Sequence, residues 1–205
     1  NWQQANTPYT IYWHACFIMD SNDMDMTEGG MRASRPTING MHSMSNFRRN
    51  YQAGGTYFFT VVSKNRAPIF TEPHVWALLK EGISLARANR PFEIDSLVLL
   101  PDHLHTIWTL PEGDFNYSVR WQEIKRWVSR QLGHSIWQPR FWEHTIRDER
   151  DFQQHMDYVH YNPVKHGLSN TAADWAYSTF HRHVKLGNYP PDWDGANELE
   201  IPYDD

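Results

Sequence analysis

The stretch Leu99-Leu100-Pro101-Asp102-His103-Leu104-His105-Thr106-Ile107-Trp108 decides the fold of this 205-residue chain. Its pattern predicts a strand, a tight turn at Pro101-Asp102 and a second strand that begins with two histidines. Since successive side chains of a strand point to opposite faces, His103 and His105 lie on the same face. Two imidazoles side by side on a rigid strand supply two ligands of a divalent metal site, and a third must come from elsewhere in the chain.

Composition limits the class of protein. The chain is long enough for one domain with a substantial core. Its single cysteine, Cys16, excludes a disulfide framework and a cysteine-based zinc site. No apolar run reaches the roughly 20 residues of a membrane span. We therefore expect no membrane association and a reducing compartment, the cytoplasm.

Charge divides the chain into three parts. Residues 44–189 hold seventeen Lys and Arg against fourteen Asp and Glu, whereas residues 190–205 hold six acids and no base. We predict a poorly ordered extension at 1–43, a folded domain at 44–189 and an acidic tail at 190–205. Met44 resembles a translation start, so the segment before it is expected to be upstream sequence. The mildly basic domain is compatible with nucleic acid but does not identify it.

Strands and helices are predicted to be intermixed in this domain. Strands are expected at 56–62 and 92–100, a helix at 73–89, and a basic helix at about 118–132 that Gly133 ends. Asp148 or Asp151 begins a further helix, and Pro163 is expected to end it at Asn162. Mostly loop is expected beyond Gly167. Intermixed elements around a central hairpin indicate an α+β domain on an antiparallel sheet.

Tyr158 and Asn162 are four residues apart and therefore share one face of their predicted helix. Asn162 offers a carbonyl oxygen that can join two imidazoles around Mg²⁺ or Mn²⁺. Tyr158 would hold its phenol near the same ion. A phenol is a poor nucleophile at neutral pH, but an ion that withdraws charge from a phosphodiester makes its attack feasible.

Spacing alone leaves other interpretations open. A histidine pair on a strand is a weak motif, with a metal role in roughly one case in five. His155 or His160 could replace Asn162 as a ligand, and Tyr161 is a second tyrosine on the same helix. The basic side chains of the preceding helix most often indicate only a solvated face.

Three separate motifs in order make a specific resemblance. Asp102–Trp108 resembles the HUH motif (histidine, bulky hydrophobic, histidine) of single-tyrosine transposases. Trp137-Gln-Pro-Arg-Phe-Trp-Glu-His144 and Asp157-Tyr-Val-His-Tyr-Asn-Pro-Val-Lys-His-Gly167 resemble signatures of one branch, the REP-associated tyrosine transposases. The resemblance runs from about Met44 to Trp193 and leaves residues 1–43 outside.

The resemblance implies a ferredoxin-like α+β fold with the HUH motif on a central strand. It implies an enzyme that cuts and rejoins single-stranded DNA at hairpins of repetitive extragenic palindromes. By this resemblance His103, His105 and Asn162 would hold Mg²⁺ or Mn²⁺, and Tyr158 would form a 5′-phosphotyrosine. Related transposases have Gln at the position of Asn162, which makes that match the weakest.

The remaining implications concern partners. DNA contacts are expected from basic residues, namely Arg48, Arg49, Arg120, Lys125, Arg126, Arg130, Arg140, Lys165 and His166. Trp121 and Trp142 are candidates for stacking on unpaired bases. The branch implies a monomer that works at the nucleoid. Two alternatives are a domesticated hairpin-binding protein without cleavage and a metal-dependent nuclease that uses water.

Overall fold

The computed structural model describes residues 51–195. The predicted extension at 1–43, Arg48, Arg49 and most of the acidic tail lie outside the described residues. The proposed domain limits, 44 and 189, therefore stay predictions. No helix within residues 51–195 is long and apolar enough to cross a membrane.

Four strands in the described residues form one antiparallel sheet with the order β2-β3-β1-β4. The elements are β1 (Thr56–Val62), α1 (Pro73–Asn89), β2 (Glu93–Leu99), β3 (His103–Thr109), α2 (Tyr117–Leu132), β4 (Trp142–Thr145), α3 (Glu149–Lys165) and α4 (Phe180–Lys185). The first six follow the β-α-β-β-α-β order of a ferredoxin-like fold. The predicted α+β class is confirmed, and the histidine strand β3 is central in the sheet.

The two faces of the sheet are covered by different helices. On one face α1 and α2 pack together, and Trp108 of β3 stacks on Trp121 of α2 with ring centres 4.3 Å apart. On the other face α3 packs through Met156 and Val159 against Phe58 and Ile107. His103, His105 and Ile107 share this second face because they alternate along β3. The histidine pair is thereby placed beneath α3.

The segment after α3 is more regular than the sequence predicts. Beyond Gly167 we expected mostly loop, but the chain forms a short 3-10 turn at Ala172–Asp174 and then α4. Residues 177–179 also pair with the outer edge of β2, where Thr179 N donates to the Leu97 carbonyl oxygen at 2.8 Å. The segment packs onto the body of the domain, since Phe180 is fully buried and Trp175 Nε1 donates to the Leu99 carbonyl oxygen at 2.9 Å.

The predicted end of α3 at Asn162 is wrong. The helix continues through Pro163 to Lys165. A proline removes one helical hydrogen bond and disfavours helical angles at the residue before it. Here Asn162 and Pro163 are both buried, so packing holds the last turn, and the His166 N–H still donates to the Asn162 carbonyl oxygen at 3.0 Å.

Two buried histidines make stability depend on pH. The His183 side chain is neutral, because Nε2 donates to the Asp95 carbonyl oxygen at 2.8 Å and Nδ1 accepts from Asn188 at 3.0 Å. Burial and the neighbouring Arg182 lower the pKa of His183 to about 4. Burial, His183 and Arg182 lower the pKa of His160 well below its usual value.

We expect the free energy of unfolding to fall as the pH drops from about 6.5 to about 4, because only the unfolded chain then protonates these histidines. Burial raises the pKa of Asp95 to about 6. Between about pH 6 and pH 4 the folded chain therefore binds a proton at Asp95 that the unfolded chain does not, which opposes the loss of stability. Urea unfolding at several pH values measures the slope. His183→Gln should reduce it by about 1.4 kcal/mol per pH unit, whereas substitution of the exposed His181 should not change it. An unchanged slope in His183→Gln would contradict this assignment.

Candidate metal and nucleophile site

The histidine pair lies where β3 begins, on the sheet face beneath α3. His103 and His105 are 2% and 0% exposed, and their ring centres are 4.9 Å apart at an interplanar angle of 81°. The two-residue turn at Pro101-Asp102 starts the strand, with the Leu100 N–H donating to the His103 carbonyl oxygen at 2.8 Å. The predicted common face of the two rings is confirmed.

Each ring is oriented through its Nδ1 atom. His103 Nδ1 lies 2.7 Å from Asp102 Oδ1, and His105 Nδ1 lies 2.9 Å from Thr60 Oγ1 of the neighbouring strand. Metal-binding histidines characteristically use one nitrogen for such a partner and the other for the ion. Nε2 is therefore the atom through which each ring would bind a metal.

Asp102 is held as a carboxylate. Burial raises its pKa, but hydrogen bonds from His103 and Arg66 more than offset this and leave the pKa below its usual value. Arg66 Nη1 lies 3.1 Å from Asp102 Oδ2. The carboxylate therefore accepts a hydrogen bond from His103 Nδ1–H, which fixes the orientation of the ring and the tautomer that leaves Nε2 for a metal.

Tyr158 contacts the histidine pair directly. Its ring packs edge-on against His105 with centres 5.2 Å apart, and the side chain is 4% exposed. Lys165 Nζ lies 3.5 Å from the Tyr158 hydroxyl. Tyr161 points elsewhere and packs against Trp193. Of these two tyrosines of α3, the structure brings Tyr158 to the histidines.

Asn162 lies between Tyr158 of α3 and His166, directly after α3, and both of these side chains touch the pair. Tyr158, one turn before it, contacts His105, and His166, one turn after it, lies 5.2 Å from His103 between ring centres. The Asn162 side chain is fully buried, and neither its oxygen nor its nitrogen has a hydrogen-bond partner among the described residues. An unpaired buried amide costs about 1–3 kcal/mol, and an ion bound by the oxygen would remove part of that cost. The residues thus fit a divalent metal.

The alternative ligands lie in other surroundings. His160 is buried against Phe180 and His183, with Nε2 at 3.2 Å from Thr179 Oγ1. His155 packs against Phe58 and hydrogen-bonds to Asp151. Within the described residues neither ring packs against His103 or His105, whereas Tyr158 and His166, one turn on either side of Asn162, do.

A second group of possible ligands was not predicted. His144, Asp151 and His155 hold their donor atoms within 4.8 Å of one another. Asp151 Oδ2 already accepts from His144 Nε2 at 2.9 Å and from the backbone and side chain of Arg147 at 3.0 Å each. Burial raises the pKa of Asp151, but these hydrogen bonds lower it to about 2. The arginine already neutralises this carboxylate, so the group is better suited to joining β4 to the start of α3 than to holding a cation.

The basic residues predicted to bind DNA differ in exposure. Arg126, Arg130, Arg140, Lys165 and His166 are exposed, and Lys125 is half-buried over Trp137 and Phe141. Arg120 is 1% exposed, and its guanidinium donates to three backbone carbonyl oxygens and to Asp114. The sequence-based prediction that Arg120 contacts DNA therefore does not agree with the structure. Trp121 is likewise buried and stacks on Trp108, not on an accessible surface.

We expect Asp102→Asn to weaken metal binding about 10- to 100-fold, the usual cost of removing such a second partner. The amide oxygen accepts a weaker hydrogen bond from His103 Nδ1–H and no longer fixes the orientation of the ring. Titration with Mn²⁺ measures the affinity, and Asp192→Asn, at an exposed position after α4, is the matched control. Equal affinities of the two variants would show that Asp102 does not support a ligand.

Two known proteins that are similar to this chain carry the same family name. A REP-associated tyrosine transposase of Escherichia coli strain K12 is 50% identical over 154 residues, which cover 74% of this chain and 92% of that protein. A Haemophilus influenzae protein provisionally given the same name is 40% identical over 176 residues, which cover 78% of this chain and 99% of that protein. No family model matches the chain.

A solved structure is similar in fold as well as in sequence. It is described as a REP-associated tyrosine transposase bound to a REP hairpin, with a TM-score of 0.71 and 48% identity. The match covers 77% of this chain and 94% of that one.

Proposed function

The chain belongs to the REP-associated tyrosine transposases, and from that premise we propose that it cuts and rejoins single-stranded DNA at REP-type hairpins through Tyr158. The observation that carries this proposal is the contact of Tyr158 with His105, beside a buried Asn162 amide that has no hydrogen-bond partner among residues 51–195. The proposed nucleophile and the three proposed metal ligands would thus lie together in one chain. We infer that the protein acts as a monomer, in the cytoplasm at the nucleoid.

Mg²⁺ or Mn²⁺ held by His103, His105 and Asn162 would draw charge from the scissile phosphate and favour attack on it. The Tyr158 hydroxyl oxygen attacks the phosphorus as the bond to the 3′-oxygen breaks. The products are a 5′-phosphotyrosine and a 3′-hydroxyl. Because the phosphodiester energy is kept, attack by a second 3′-hydroxyl reverses the step and joins strands.

The chain's own residues position these groups. Asp102 and Thr60 fix the two imidazoles through their Nδ1 atoms. Lys165 Nζ lies 4.9 Å from the centre of the Tyr158 ring, where its charge favours the developing phenolate. His105 and Phe58 pack edge-on against the same ring and restrict its orientation.

The exposed basic side chains of the protein are proposed to contact the DNA backbone. These are Arg126, Arg130, Arg140, Lys165 and His166, with the half-buried Lys125 and, outside the described residues, Arg48 and Arg49. Arg120 is left out because its guanidinium is engaged within the fold. Trp142, half-buried on β4, is the remaining candidate for stacking on an unpaired base.

Cleavage of labelled hairpins tests the proposal. Single-stranded hairpins from the flanks of the gene are incubated with the full chain and Mg²⁺ or Mn²⁺, and the products are separated on a denaturing gel. Label on the 3′ side of the cut should migrate with the protein, and label on the 5′ side should end in a free 3′-hydroxyl. Cleavage without protein-linked label would indicate a water-using nuclease, and binding without cleavage would indicate a domesticated hairpin-binding protein.

A further inference from the structure

A groove on the surface of the domain runs between α2 and the segment 135–141. Its volume of about 550 Å³ is within the range of sites that bind small organic groups. We propose that this groove binds one unpaired nucleotide of the single-stranded DNA beside the hairpin, with the base on aromatic rings and the phosphate at basic side chains. This inference rests on the proposed function, and it adds a DNA contact on the face of the sheet opposite the histidine pair.

The groove belongs to the face of the sheet that α1 and α2 cover. Two of its lining residues, Trp121 and Phe141, pack against Phe59, with ring centres 5.7 Å and 5.8 Å away. Phe58, the preceding residue of β1, points to the other face, where its ring stacks on His105. Because neighbouring residues of a strand point to opposite faces, the sheet separates the groove from the catalytic residues.

Aromatic rings form the floor of the groove. Trp137 is 6% exposed, and its Nε1 donates to the Lys125 carbonyl oxygen at 3.1 Å, which fixes the orientation of the indole. Phe141 is half-buried, so part of its ring is accessible. Every nucleobase has a face that stacks on such rings, and loss of one stacked base weakens single-strand binding about 5- to 100-fold. The floor therefore suits a base that is not paired within the hairpin.

The charge of the groove is positive. Lys125 and Arg126 line it, and no carboxylate is among the described residues that do so. Lys125 Nζ lies 5.5 Å from the ring centres of both Trp137 and Phe141. A phosphate at this ammonium group would therefore lie next to a base that stacks on those rings.

Two exposed amides, Gln122 and Gln138, complete the lining of the groove. Each amide offers a donor and an acceptor, and the edges of the bases carry both kinds of group. The main chain of Gln138 is fixed, because its N–H donates to the Val62 carbonyl oxygen at 2.9 Å and its carbonyl oxygen accepts from Lys125 at 3.3 Å. A phosphate alone would use only the cations, and an apolar peptide would use only the rings. A nucleotide uses the rings, the amides and the cations together.

The edge strand β4 connects the groove with the catalytic side of the sheet. Phe141 lines the groove, whereas the next residue, Trp142, packs against Phe58 on the other face with ring centres 5.7 Å apart. Trp142 pairs with Thr60, which pairs with His105, so the start of β4 is level with that histidine and two strand spacings away, about 10 Å. Among residues 51–195 no strand pairs with the outer side of β4. A DNA strand can therefore cross this edge between the groove and the catalytic residues.

Photo-crosslinking locates the nucleotide on the protein. 5-Iodouracil is placed at successive single-stranded positions of a hairpin from the flank of the gene, and its complex with the full chain is irradiated in the presence of a chelator, so that the DNA stays uncut. We expect one position to crosslink to Trp137 or Phe141, identified by mass spectrometry of the modified peptide. Crosslinks that occur only at Trp142 and on α3 would overturn the proposal.

Fluorescence anisotropy provides an independent measurement with the same hairpin. An abasic unit at the crosslinked position should weaken binding to the wild type about 5- to 100-fold. Phe141→Leu keeps an apolar side chain against Phe59 and removes the ring, so the abasic unit should cost this variant much less. Gln122→Ala, at an exposed position that leaves the fold intact, should also reduce the abasic effect. The control Gln131→Ala, at an exposed position of α2 outside the groove, should not.

An abasic effect of the same size in the wild type, Phe141→Leu and Gln122→Ala would overturn the groove as a nucleotide site, whereas cleavage of the hairpin through Tyr158 would stand. Binding that shows the expected differences without any cleavage would support the groove and contradict only the proposed function. Failure of the wild type to bind any hairpin would overturn both.

Discussion

Tyr158→Phe is expected to abolish the covalent protein–DNA adduct and to reduce hairpin cleavage by at least about 10³-fold, as loss of a nucleophile does in other enzymes. Phenylalanine keeps the ring that packs against His105 and Phe58, and it removes only the hydroxyl that lies 3.5 Å from Lys165. Hairpin binding should persist, since the phosphate contacts are unchanged. A denaturing gel for the adduct and fluorescence anisotropy at fixed salt for binding separate the two effects.

Tyr161→Phe is the matched control for this experiment. Tyr161 lies three residues further along α3 and packs against Trp193, away from the histidines. Its substitution should leave adduct and cleavage near wild-type levels. The opposite outcome, an adduct in Tyr158→Phe that disappears in Tyr161→Phe, would assign the nucleophile to the other tyrosine. Cleavage without any adduct in either protein would exclude covalent catalysis.

His105→Ala is expected to remove metal-dependent cleavage, by at least about 10²-fold, while hairpin binding remains. The ring is fully buried, it contacts Tyr158, and Thr60 orients it. Alanine removes a ligand and also leaves a cavity beneath α3, so thermal unfolding must be measured beside activity. His105→Gln, which fills more of the space, should lose cleavage at a smaller cost in stability.

His144→Gln tests the other group that could hold an ion. His144 lies on β4 and shares Asp151, in the first turn of α3, with His155 and Arg147. Its substitution should lower the free energy of unfolding but leave the metal requirement of cleavage unchanged. If His144→Gln abolished metal binding and His105→Gln did not, the catalytic ion would belong to the His144–Asp151–His155 group.

Local patterns predicted most of the fold. The bounds expected for the first strand and the first helix agree with β1 and α1, because Thr56–Val62 is continuously β-branched and aromatic and Pro73 begins a clear helical repeat. The end of α3 was wrong because burial of Asn162 and Pro163 outweighs the local preference of proline. The helix α4 was missed because it is only six residues long.

The candidate site was predicted through its motifs, but its supporting residues were not. Thr60 reaches His105 only through the pairing of β1 with β3, a register that no local pattern gives. Asp102 stands next to His103 in sequence, which was an available signal for an orienting carboxylate. Arg120 looked like its exposed neighbours on α2, yet its position on the helix turns it inward to carbonyl groups that a sequence pattern does not reveal.

The most direct test of the central claim is to locate the DNA on the protein. The adduct formed with a hairpin and Mn²⁺ is digested with nuclease and trypsin, and the nucleotide-bearing peptide is fragmented by mass spectrometry. We predict that the residual 5′-phosphate is attached to Tyr158. Attachment to Tyr161 or another residue, or cleavage with no modified peptide, would contradict the assignment of Tyr158 as the nucleophile beside the histidine pair.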